Sequence, residues 1–229
     1  MLPFGIRNSR LSAIYGSYIE FGRFPAPAQN CSDARMADHL ASIYGTEQDK
    51  VNCSFYFKIG ACRHGETCSR KHVKPQYSPT VLLPNMYVNP AHDASCTLTP
   101  DLLQHHFNLF YEDIFTELSL KYGYVEEMLV CDNLGDHLMG NIYVRFGDEE
   151  AAGRAVEDLN KRWYASKPIF AELCPVTDFK GSCCRQYEMG QCNRGGYCNF
   201  MHFKYPTMEL KKELLACQRE SERLRRRKN

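Results

Sequence analysis

A chain of 229 residues, 44% hydrophobic and 24% charged, with a formal net charge of +1, has room for one ordinary domain and a few small modules. No apolar run approaches the roughly 18 residues of a membrane span, and the N-terminus lacks the basic, apolar, small-residue order of a secretion signal, so a soluble, intracellular protein with no membrane partner is expected. The near-neutral total hides a segregation: six basic residues stand against Glu66 alone between 50 and 74, four against Glu188 alone between 180 and 204, and three against thirteen acidic residues between 101 and 160. Two basic segments therefore flank an acidic middle, and the basic ones suit a phosphate backbone.

Residues 1–35 mix Gly, Pro, Ser and aromatic residues without sustained periodicity and are expected to be a disordered extension. Residues 36–50 form a short lead-in, with Leu40, Ile43 and Tyr44 as packing residues.

The first chemical motif occupies residues 51–76. Cys53, Cys62, Cys68 and His72 follow C-x8-C-x5-C-x3-H, and the same ending recurs downstream as Cys184, Cys192, Cys198 and His202 in C-x7-C-x5-C-x3-H. Three thiolates and one imidazole make a closed tetrahedral set for Zn²⁺, which in such sites leaves no position for water and so builds structure without catalysing. A segment of this size buries too little to fold alone, and zinc can supply about 10–16 kcal/mol of apparent folding energy. Gly60, Gly65, Gly190, Gly195 and Gly196 lie between ligands, where a chain wrapping an ion turns sharply. A disulfide framework would leave both histidines without a purpose and needs an oxidising compartment. Two structural zinc ions are therefore expected, and Cys31, Cys96, Cys131, Cys174, Cys183 and Cys217 are expected as free thiols. Cys183 beside Cys184 leaves the first ligand of the second finger open on spacing alone.

Residues 80–176 read as an α/β domain. LLPNMYVNP is a candidate first strand, and Thr99-Pro100-Asp101 opens a helix with a hydroxyl cap, an N-terminal proline and an early acid. Leu103, Phe107, Phe110, Ile114 and Leu118 then recur at helical spacing until Gly123. YVEEMLVCDN and MGNIYVRF give two strands, the second with Ile142, Val144 and Phe146 on one face and Asn141, Tyr143 and Arg145 on the other. Asp148 caps a helix carrying Ala152, Ala155 and Leu159, and PIFAEL supplies the last strand. The order βαββαβ is the ferredoxin-like arrangement of RNA-recognition motifs, which makes the chain an α+β protein with a finger on either side of its central domain. On the motif's third strand, however, Met139 replaces the usual basic residue and Asn141 the first stacking aromatic, leaving only Tyr143. With the acidic charge, this predicts a middle domain that binds protein and not RNA.

The second finger spans 177–204. Residues 205–229 read as a helix with a partial stripe of Leu210, Leu214 and Leu224, ending in the basic run RLRRRK, a solvated tail, a nuclear-import signal or an RNA-contacting arm.

From residue 36 onward the sequence resembles the small subunit of the U2 small nuclear ribonucleoprotein auxiliary factor, a nuclear pre-mRNA splicing family. The stretches VNCSFYFKIGACRHG, KYGYVEEMLVCDNLGDHLMGNIYVRF, DLNKRWY, AELCPVTDF and CCRQYEMGQCNRGGYCNFMHF carry it. The resemblance implies that the two fingers bind the AG dinucleotide ending an intron, in single-stranded pre-mRNA at the 3′ splice site. It also implies that the central domain grips the factor's large subunit by a reciprocal tryptophan exchange. On that reading Phe55, Phe57 and Phe200 offer rings for stacking on bases or for packing around zinc. Arg63, Ser69 and Arg70, with Arg185, Gln186 and Arg194, are placed to reach phosphates or base edges. Arg162-Trp163-Tyr164 matches the family's Arg-x-aromatic loop, with Trp163 the chain's only tryptophan, and Glu112, Asp113 and Glu117 would receive basic residues of the partner. Serine/arginine-rich splicing proteins are further partners of this family, although its arginine–serine tail has no counterpart in this sequence.

The competing reading from the residues is a CCCH RNA-binding protein of mRNA decay or 3′-end processing, but such proteins usually place their fingers in tandem. No nucleophile and base pair, phosphate-cradling glycine loop or carboxylate dyad stands out, so an enzyme is not expected.

Overall fold

The computed structural model describes residues 51–228, so the extension and lead-in expected over 1–50 lie outside the described residues. The elements run α1 (Ser54–Ile59), β1 (Thr80–Leu83), α2 (Pro100–Lys121), β2 (Val125–Cys131), β3 (Ile142–Phe146), α3 (Glu149–Leu159), β4 (Trp163–Tyr164), β5 (Lys167–Pro168), β6 (Glu172–Leu173), α4 (Phe179–Ser182), α5 (Arg185–Glu188), β7 (Phe203–Lys204) and α6 (Met208–Lys228). The antiparallel sheet has the order β6-β1-β3-β2-β7. Its first four members are the expected βαββαβ unit, with α2 and α3 as crossovers. β7, contributed by the end of the second finger, was not foreseen: it pairs with β2 at Val130↔Lys204 and Cys131↔Phe203.

Both expected helix starts are present. Thr99 accepts from the Leu102 N–H and Asp148 from the Ala151 N–H, each satisfying a donor that the first turn leaves orphaned. The strand boundaries differ more. β1 begins two residues ahead of the expected segment and stops before Pro84, which has no N–H for the ladder. Only Glu172–Leu173 of PIFAEL joins the sheet. Lys167–Pro168 instead folds back on Trp163–Tyr164 as a small hairpin, with Ala165 and Ser166 at φ 46° and 64° in its turn, a conformation that composition did not advertise.

The period-2 pattern of β3 splits the core into two layers. Ile142, Val144 and Phe146 join Val81, Leu83 and Val130 beneath α2 and α3, where Phe107, Ile114, Leu118, Ala152, Ala155 and Leu159 are buried. Each large side chain there contributes about 1.5–3 kcal/mol of burial. The opposite face carries Leu82, Leu129 and Tyr143, packed against Ile59, Phe179, Met201 and Phe203 from the finger segments. In an RNA-recognition motif that face is the open base platform. Here it is closed. Tyr143, expected as the one stacking ring left on it, is fully buried and donates its hydroxyl to the Ile59 carbonyl at 2.7 Å.

α6 lies along α2. Leu214 is buried as expected, whereas Leu224 stays exposed. The anchor that a search for apolar stripes overlooks is Gln218, buried at the start of β2. Its side-chain oxygen accepts from the Val125 N–H at 3.0 Å and its amide donates to the Val125 carbonyl at 2.9 Å, pairing a strand edge as a neighbouring strand would.

Candidate metal centres and nucleic-acid interface

The two fingers are built on the same plan, although the second is one residue shorter between its first two ligands. In each, a short helix follows the first cysteine, and a 3-10 turn at Gly65–Thr67 or Gly195–Tyr197 precedes the third. The residue before the first cysteine forms a parallel bridge to the residue before the histidine, Asn52↔Lys71 in one finger and Cys183↔Met201 in the other. That equivalence decides between Cys183 and Cys184. Cys184 donates its N–H to Met201 as Cys53 does to Lys71, while Cys183 turns into the apolar layer under the sheet.

Ligand atoms of Cys53, Cys62, Cys68 and His72 lie within 4.8 Å of one another, as do those of Cys184, Cys192, Cys198 and His202. A tetrahedral zinc with Zn–S near 2.3 Å requires sulfurs about 3.8 Å apart. The observed separations are 3.9 Å for Cys62–Cys68, 3.7 Å for Cys184–Cys192 and 3.8 Å for Cys198–Cys184. Nε2 of His72 and Nε2 of His202 are buried with no hydrogen-bond partner, a costly state that a coordinated cation removes. Both sets thus fit a structural zinc ion. Backbone N–H groups support the sulfurs: that of Arg70 lowers the Cys68 pKa and that of Arg194 lowers the Cys192 pKa, each favouring thiolate. A tyrosine three residues after each first cysteine stacks on the ligand histidine, Tyr56 on His72 at 4.5 Å and Tyr187 on His202 at 3.9 Å. These two rings escaped the sequence reading, though superposing CSFY on CRQY would have found them.

The fingers share one platform. Gly60 ends α1 at φ +73°, and a Cβ there would stand 2.4 Å from the Cys174 sulfur, so only glycine lets the first finger lie this close to the sheet. Buried Ser182 of α4 donates to the Lys58 carbonyl of the first finger and contacts the Asp178 carbonyl, stitching the finger segments together. The second finger is held by the loop after β2. Asn133 accepts from the His202 N–H at 2.9 Å and donates to the Phe200 and Cys198 carbonyls at 3.0 and 3.2 Å. Leu134 donates to the Gly196 carbonyl at 2.7 Å. Asn133 is the functional residue that sequence reasoning missed. Its stretch, NLGDHLMGN, lies inside one of the segments that carry the family resemblance, and this clamp is what it does in the fold.

Among the residues expected to meet RNA, Phe55 and Phe200 come together across the two fingers, ring centroids 6.3 Å apart, with Phe55 exposed and Phe200 half-buried. Phe57 is half-buried. Arg63, Ser69, Arg70, Arg185, Gln186 and Arg194 are all exposed, and Arg63 donates to the neighbouring His64 ring at 3.1 Å.

At the expected protein face, Trp163 is 61% exposed on the β4–β5 hairpin. Tyr164 packs edge-on against Phe110 and hydrogen-bonds Asp113. Arg162 pairs with Glu117 at 2.6 Å, so that acid already holds a cation from its own chain. Glu112 is raised by burial, then by Glu213 on α6 and by Asp113.

A ferredoxin-like domain whose sheet face carries two Cys₃His fingers defines the class: a CCCH zinc-finger protein of RNA-recognition-motif architecture. The family of zinc fingers described as C-x8-C-x5-C-x3-H type (and similar) matches residues 48–74. Over 185 residues the chain is 62% identical to the splicing factor U2AF 23 kDa subunit of Schizosaccharomyces pombe, covering 80% of this chain and 85% of the relative. It is 55% identical to the U2af 38 kDa subunit of Drosophila melanogaster, over 80% of this chain and 73% of that one, and 58% identical to the U2AF 26 kDa subunit of Bos taurus, over 78% and 84%. Among solved structures, the RNA-recognition motif of Rna15 with bound RNA (GU) is similar at TM-score 0.29 and 17% identity, over 49% of this chain and 95% of that one. The chain belongs to the splicing factor U2AF small-subunit family.

Proposed function

We propose that this protein is the RNA-reading half of a nuclear splicing heterodimer. Its two fingers act as one surface that binds the AG dinucleotide of the 3′ splice site in single-stranded pre-mRNA, and its central domain binds the large subunit of the same factor. The observation that carries the reading is the meeting of Phe55 and Phe200, one from each finger, amid exposed arginines on a shared platform. Unstacked bases are read by aromatic and guanidinium planes and by polar groups at their edges, which such a junction offers. Closure of the sheet face supports the same division of labour, since it leaves RNA to the fingers and Trp163 to a protein. Serine/arginine-rich proteins would be further contacts of the assembled factor. The zinc ions hold these surfaces in place, and the protein's part is recognition rather than catalysis.

The test is the affinity of the zinc-loaded protein, bound to a large-subunit fragment, for short RNAs identical except for UAG, UCG or UAC. A loss of about 1–3 kcal/mol for each altered base, the scale of one base's stacking, is expected. Equal affinities would overturn AG reading.

A further inference from the structure

The outward side of α6 takes part in neither interface proposed above. The helix is fixed along its length: Leu214 is buried, Gln218 pairs with both backbone groups of Val125, and Arg225 turns inward to donate to the Leu120 carbonyl near the end of α2. Its first residue, Met208, stands six positions after the zinc-ligand candidate His202, so α6 leads directly away from the second finger.

Charge is sorted around this helix. Lys212, Arg219, Arg223 and Arg226 follow one another at spacings of seven, four and three residues, and Glu209, Glu213 and Glu220 at spacings of four and seven. At 3.6 residues per turn each set keeps to its own face. The acids lie toward α2, where Glu213 acts on Glu112. The cations lie on the β2 side, one step outward from Lys211 and Leu215, which close a hollow against Glu126 and Met128. All four cations are exposed. Arg219 donates to the Leu215 carbonyl at 3.0 Å, and the acids paired with Arg223 and Arg226 stand at 3.6 and 3.8 Å, loose exposed pairs that exchange readily for another anion. The helix dipole favours cations in the last turn only, and Lys212 and Arg219 stand well before it. Leu224, the one large apolar side chain exposed between Lys212 and Arg226, lies four residues from Glu220 on the acidic side, so the basic face lacks the anchor a protein interface needs. A row of four cations over about 21 Å of helix, with nothing apolar between them, matches a sugar–phosphate chain.

We propose that the outward face of α6 is a phosphate track, holding the RNA strand that runs on past the second finger without regard to its bases; the proposal rests on RNA binding by the fingers. The test compares, on the zinc-loaded protein bound to a large-subunit fragment, a short AG-containing RNA with the same RNA extended on one side or the other by abasic ribose phosphates. One extension should bind more tightly, and its log affinity should fall more steeply with log salt by about 3, the slope of four single-strand phosphate contacts. Raising salt from 50 to 200 mM should then cost the extended RNA about fiftyfold more than the short one. Replacing Lys212, Arg219, Arg223 and Arg226 together by Gln should abolish the gain while the short RNA's affinity, its AG discrimination and two zinc ions per chain persist. Replacing the three arginines by Lys, which keeps the charge, should retain it. No gain from either extension, a gain that survives the Gln variant, or a Gln variant that loses large-subunit affinity with the gain intact would each overturn the proposal. A gain lost in the Gln variant, alongside equal affinities for UAG, UCG and UAC, would defeat the AG reading and support the track.

Discussion

Asn133 makes three hydrogen bonds to the backbone of the second finger from a fully buried position. Leaving a buried partner unpaired costs about 1–3 kcal/mol, so Asn133→Ala should weaken zinc retention at Cys184, Cys192, Cys198 and His202 about tenfold or more while sparing the first finger. Competition against a chelator, with the two ions released in separate phases, checks this. Trp163 is the opposite case, with most of its surface exposed. Trp163→Ala should leave the melting temperature and both zinc ions unchanged but cost at least about 2 kcal/mol of large-subunit affinity, the threshold of an interface anchor; calorimetric titration separates the outcomes. Residues of this kind differ in how far sequence exposes them. The zinc ligands are legible because coordination fixes both residue type and spacing. Asn133 is not, because one asparagine among many acquires its role only when two segments about seventy positions apart meet.

At the scale of elements, the helices were the more legible. Thr99 and Asp148 mark their starts chemically, and the apolar spacing along α2 names its buried face. The short strands β4 to β7 were poorly legible, since two residues of backbone pairing carry no period. α6 was half legible, its leucines readable and Gln218 not. The packing of α6 on α2 also sets Glu213 near Glu112, and burial with this neighbour holds the Glu112 pKa above its ordinary range. A carboxyl whose folded value lies above its unfolded value, about 4.3 for glutamate, costs the fold nothing while protonated, and its full penalty applies above the folded value. Glu112→Gln should therefore melt higher than the wild type at neutral pH, with the advantage fading as pH falls toward about 4. Thermal melts across that range test it, and an advantage independent of pH would assign the gain to another cause.

At the scale of the whole molecule, the fingers are parts of the fold and not appendages. Spacing revealed that two fingers exist, and the βαββαβ order revealed the domain between them. What spacing could not reveal is that both fingers land on the same sheet face, because that depends on Ile59, Phe179, Met201 and Phe203, apolar residues with no periodic signature. The loss of stacking aromatics on β3 was visible, and its structural counterpart is a face already occupied. The proposed RNA surface and the hydrophobic core are thus back to back, so substitutions beneath the fingers should change RNA affinity without touching RNA.

The covered sheet face also governs what happens to the protein when metal is scarce. Stripped of zinc, segments too short to fold alone would detach from Leu82, Leu129 and Tyr143, turning a buried layer into a sticky exterior patch. A chelator should therefore raise the fluorescence of a hydrophobic dye and drive aggregation while the helices of the central domain persist by circular dichroism, and zinc added before aggregation should reverse both. For the cell, zinc supply would then set how much of this protein stays in solution, as well as how much can recognise its target.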